Sequence, residues 1–86
     1  MNRYNSDDFS MLMLVFEGRE AYKIKTLRDM ANVLLNLWPD EEGDAYVIAV
    51  KACLDAKFGD VSPEFARRAL IKAAEEAGVG VITIIH

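Results

Sequence analysis

The chain has one cysteine, one histidine and two prolines among 86 residues, and no surplus of positive charge. A single thiol, Cys53, makes no internal disulfide, and no Cys/His grouping has the spacing of a zinc site. The expected setting is therefore a reducing compartment, the cytoplasm. Ten Lys and Arg stand against fourteen Asp and Glu, a formal charge of -4. The resulting field repels phosphate backbones and anionic bilayers, so neither nucleic acid nor membrane is an expected partner. The longest uncharged apolar runs, residues 11–16 and 79–85, are far too short to span a bilayer, and the polar start of the chain has no secretion-signal pattern.

What is present is a well-patterned globular chain, 52% hydrophobic and 28% charged. That length suits one core without staples. Residues 1–10, rich in Asn, Ser and Asp, form no period and are expected to be a flexible arm preceding a single domain over 11–86. Residues 11–16 are an uninterrupted apolar run suited to a strand covered on both faces. Gly18-Arg19 supplies a two-residue turn, and residues 21–25 alternate, with Tyr22 and Ile24 on one side and Lys23 and Lys25 on the other. Those lysines mark a guarded edge.

Thr26 and Asp29 form a capping pair for a first helix whose apolar stripe is Leu27, Met30, Ala31, Leu34, Leu35 and Trp38. Pro39 ends it, and the acidic run Asp40, Glu41, Glu42 and Asp44 leads into a second helix at its positive end. Residues 45–58 are so apolar that this helix is expected to be the most buried. Gly59 ends it; Ser62, Pro63 and Glu64 open a third helix, which Gly78 closes. A β-branched, uncharged segment over 79–85 is the last strand.

The predicted order is β-β-α-α-α-β, an α+β fold. Its three-stranded, mainly antiparallel sheet combines the hairpin with the C-terminal strand, and three helices pack on one face. With the last strand beside the first, an uncharged, proline-free edge and an apolar sheet face need cover. A second copy supplies it, so the chain is expected to be a homodimer, with Trp38, Val81, Thr83 and Ile85 as interface residues.

The segment Leu34-Leu-Asn-Leu-Trp-Pro39, then Tyr46, Ala49, Ala52-Cys-Leu-Asp-Ala56, Gly59 and Ala66-Arg-Arg-Ala-Leu-Ile-Lys-Ala-Ala-Glu-Glu-Ala-Gly78 resembles domain of unknown function 982. The similarity covers residues 22–79. It implies a short bacterial single-domain protein and carries over no reaction, cofactor or catalytic residue.

Arg67, Arg68 and Lys72 form a basic patch on the third helix, suited to a carboxylate, a phosphate or an acidic partner. The competing reading is pairing within the helix, since Glu64 lies four before Arg68 and Glu75 and Glu76 follow Lys72. Arg67 matches the family's Ala-Arg and is the first choice for an anion site. Cys53 lacks a basic neighbour in sequence and reads as a buried thiol. The acids at 40–44 lack the spacing of a calcium loop. Trp38 reads as a core or subunit contact, and His86, as the last residue, is a poor general base. No cofactor is implied and no catalytic constellation is present. The expected function is a non-catalytic homodimeric binding or regulatory module; the alternative is an anion-binding protein or enzyme using the third helix.

Overall fold

The computed structural model describes residues 8–39 and 43–83. Asp40, Glu41, Glu42, Ile85, His86 and residues 1–7 of the expected arm lie outside the described residues. The elements are β1 (Asp8–Val15), β2 (Ala21–Thr26), α1 (Leu27–Asn36), α2 (Asp44–Lys57), α3 (Pro63–Ala77) and β3 (Gly80–Thr83), in the order expected for this α+β fold. β1 begins at Asp8, so residues 8–10 of the expected arm belong to the sheet.

The sheet order is β2-β1-β3 with both pairings antiparallel. Leu12 stands opposite Ile24 on one side and Thr83 on the other; Leu14 lies between Tyr22 and Val81. Directly opposed residues point the same way, so this row is the helix-covered face, where Leu12, Leu14 and Ile24 are fully buried. The hairpin differs from the two-residue expectation. Arg19 N–H donates to the Phe16 carbonyl at 3.1 Å, which places Glu17 and Gly18 at the turn centre, and Gly18 has φ of 73°. A turn with positive φ at its third position selects glycine there.

Local chemistry fixes the helix starts. Thr26 Oγ1 accepts from Asp29 N–H at 3.1 Å, and the Asp29 carboxylate accepts in return from Lys25 N–H at 2.9 Å. Ser62 Oγ accepts from Phe65 N–H at 3.1 Å, with Pro63 in the first turn. α2 has Gly43 at its N-cap and no side chain of its own there. The carboxylate of Glu76, from α3, approaches Ala45 N–H at 3.5 Å and occupies the positive end of the dipole. A Cβ at position 43 would lie 2.6 Å from that oxygen, so glycine admits the Glu76 cap.

The buried residues of α2 include Ala45, Ala49, Ala52 and Ala56, at spacings of four, three and four, and they meet a helix whose buried set includes Ala66, Ala73 and Ala74. Small residues on both sides let the α2 and α3 backbones approach closely. Tyr46 closes the other flank, its hydroxyl donating to the Leu34 carbonyl at 2.8 Å. An aromatic chain links the layers: Phe16 meets Tyr22 and Trp38 edge-on at 5.7 and 6.0 Å, and Trp38 lies 6.2 Å from Tyr46.

A fully buried seam residue has no room to grow. Ala49→Leu is therefore expected to cost about 1–3 kcal/mol in urea unfolding, whereas the neighbouring exposed Val47→Leu stays within about 0.5 kcal/mol. Tyr46→Phe strands the Leu34 carbonyl and is expected to cost about 1–2 kcal/mol by the same measurement.

Candidate functional site: an uncovered helical face

α2 buries six of its fourteen residues, the largest share of the three helices and as the sequence suggests, yet it lies outermost. Its main contacts are with α3 and α1, while the helix contacts to the sheet come chiefly from α1 and α3, so α2 is an outer element with one side uncovered. The side it turns inward is the small one, and the large residues Val47, Ile48, Leu54 and Phe58 point out, with exposures of 57, 58, 54 and 72%. Leu35 of α1, expected in the core, is 63% exposed, and Val33 takes its place inside. α1 also stops at Asn36, two residues before the Trp38 end that its stripe suggests.

Between α1 and α2 this face carries a groove of about 130 Å³ lined by Ala31, Leu34, Leu35, Val50, Cys53 and Leu54. Cys53 is 5% exposed and its thiol donates to the Leu27 carbonyl at 3.5 Å, so it serves the packing as expected from the sequence. Along the outer edge, Lys51 Nζ pairs with Asp55 at 2.8 Å. The hydrogen bond to Asp55, and then its charge, raise the Lys51 pKa above its ordinary value.

The basic residues of α3 do not form one patch. Arg67 is directed inward: Nε donates to the Ser10 carbonyl at 2.8 Å and Nη1 lies 3.5 Å from Glu64, with only 12% of the side chain exposed. It ties α3 to the start of β1. The pairing is three residues apart, where the sequence suggested Glu64 with Arg68. Arg68 and Lys72 are exposed, and among the described residues neither enters an ion pair.

Of the residues expected at an interface, Trp38 lies in the core at 8% exposure. Val81 is half-buried against the core and Thr83 is exposed opposite Leu12, so both belong to the helix-covered side of the sheet. Ile82, opposite Met13, is the β3 residue on the open face, one position out of phase with the expected Val81 and Thr83. Among the described residues no cluster of three His, Cys, Asp or Glu is placed to hold a metal ion, and no helix is long and apolar enough to cross a membrane.

These features define a small α+β domain, an antiparallel sheet covered on one face by helices, whose most conspicuous surface is the outer side of α2. Residues 11–81 match the family described as Protein of unknown function (DUF982), and the chain belongs to that family. No curated protein and no solved structure matches it.

Because Arg67 is engaged on both sides, its loss frees a half-buried carboxylate and a strand end together. Arg67→Ala is expected to lower stability by about 1–3 kcal/mol, and Arg68→Ala to stay within about 0.5 kcal/mol, both read from denaturant midpoints.

Proposed function

We propose that the protein is a non-catalytic binding module that acts as a homodimer, with the outer face of α2 as the surface of self-association. The observation that carries this reading is the inversion of α2, which hides its alanines and exposes Val47, Leu54 and Phe58 along one side. Monomeric proteins seldom leave so many large apolar side chains together in water. Stable interfaces bury about 800 Å² per partner, a modest part of the 5707 Å² total here.

The face is also self-complementary. If a two-fold axis crosses α2 at the level of residue 53, beside Leu54, the copies run antiparallel and their helix dipoles oppose. Leu54 then meets its counterpart, and Phe58 of each copy reaches the level of Val47 and Ile48 of the other. The same axis brings Lys51 of each copy beside Asp55 of the other, so the pair formed within one helix can be exchanged across the interface. Such exposed pairs add little affinity, but like-charge registers are disfavoured, which selects this one.

The sheet offers a weaker surface, because among its described residues the exposed large apolar side chains are Ile82 at 50% and Val15 at 37%, and Lys23 and Lys25 flank it. The anion-binding alternative loses its first-choice residue to Ser10 and Glu64.

Sedimentation equilibrium across dilution tests the proposal. The unmodified chain is expected to be dimeric at about 100 µM, a weak-to-moderate affinity on the free-energy scale. Leu54→Asp should then be a folded monomer, and Ile82→Asp should remain a dimer. A monomeric parent chain, or dissociation by Ile82→Asp with none by Leu54→Asp, would overturn the assignment.

A further inference from the structure

A second cavity, independent of α2, opens where two helices end. It has a volume of about 360 Å³, and its walls include Glu17, Arg19, Asn36, Leu37, Trp38 and Gly78. Asn36 and Leu37 end α1, and Gly78 ends α3, so two negative helix termini converge on one space. Neither helix has a basic residue in its last turn to neutralise that end. Some terminal carbonyls are satisfied: Val33 accepts from Leu37 N–H, Leu34 from Tyr46, and Ala74 from Val79 N–H at 2.8 Å. Among the described residues no hydrogen bond reaches the carbonyls of the wall residues Asn36, Leu37 and Ala77.

Among the described wall residues, Glu17 adds a third source of negative potential, carried on the β-turn whose geometry Gly18 permits. Arg19 supplies positive charge, and it takes part in no ion pair among the described residues. Trp38 contributes an aromatic wall held rigidly by Phe16 and Tyr46. Helix-terminal carbonyls without a partner among the described residues, a carboxylate and an aromatic ring together match a group with several N–H donors and a compact positive charge.

We propose that this cavity binds small organic molecules through a primary ammonium group, which donates to the helix-terminal carbonyls and pairs with Glu17. Simple amines and amino acids share that group. Arg19 separates them, because only an amino acid brings a carboxylate for it to hold.

The test is a titration of the full chain followed by amide chemical shifts, with butylammonium, γ-aminobutyrate, butyrate and choline as probes. Butylammonium is expected to give saturable shifts centred on Asn36, Leu37 and Gly78, and Glu17→Gln to weaken it about fivefold. Choline, which has no N–H to donate, should bind more weakly. γ-Aminobutyrate binding more tightly than butylammonium, with the advantage lost in Arg19→Ala, would support an amino acid as the ligand; equal binding would support a simple amine. No saturable shift with either ammonium probe, butyrate binding as well as butylammonium, choline matching it, or an unchanged affinity in Glu17→Gln would overturn the proposal. None of the substituted residues lies on α2, so the outcome is independent of the dimer.

Discussion

The close approach of α2 to α3 is the constraint from which the rest of the molecule follows. Alanines at 45, 49, 52 and 56 make one side of α2 nearly flat, and Ala66, Ala73 and Ala74 do the same for α3. Backbones meet through small side chains, so the large residues of α2 have no place in the seam. Among the described residues no other element covers them, because α1 and α3 are the helices that pack on the sheet. A helix with abundant apolar side chains thus becomes an outer layer, and the uncovered face is a consequence of tight packing on the opposite side.

The same packing sets the polar contacts. Drawing α3 against α2 brings Glu76 to the α2 N-terminus, where Gly43 leaves it space. Tyr46 on α2 satisfies a carbonyl near the end of α1. Arg67 reaches from α3 to the Ser10 carbonyl and so fixes the outer end of β1. Each of these groups has a ready alternative role in isolation, and tertiary geometry assigns it a structural one. The net effect is that charges suited to ligand recognition on α3 are divided, with one held inside and the others left at the surface.

Two surfaces of differing chemistry emerge from this arrangement, each the subject of a proposal above. The outer side of α2 is apolar, broad and self-complementary, suited to a second copy of the chain. The cavity at the ends of α1 and α3 is polar, small and negative, suited to an ammonium group. Dimerisation through the first leaves the residues of the second untouched, so a homodimer presents two such cavities.

Much of the fold was legible from the residues alone. Period-two and helical spacing, the Thr26 and Ser62 caps, Pro63 and Gly78 locate the strands and two of the helices, because these signals act within one or two turns of chain. Proline 39 marks the end of α1 less sharply, since the helix stops at Asn36. The family likewise was visible in the spacing of the Trp-Pro, Cys and alanine-arginine segments. What the chain alone left open was orientation. α2 is apolar apart from a narrow wet strip at Lys51 and Asp55, so the sequence marks one exposed edge and leaves open which apolar side is inside; that depends on the alanine surface of α3. β3 is apolar on both sides, and only its pairing with β1 distinguishes Ile82 from Val81. Arg67 and Arg68 are neighbours of equal charge, separated by a rotation of about 100° that only the position of Ser10 makes decisive. Sequence determined which elements form, because their causes are local; tertiary structure decided which faces remain free, because burial depends on what arrives from elsewhere in the chain.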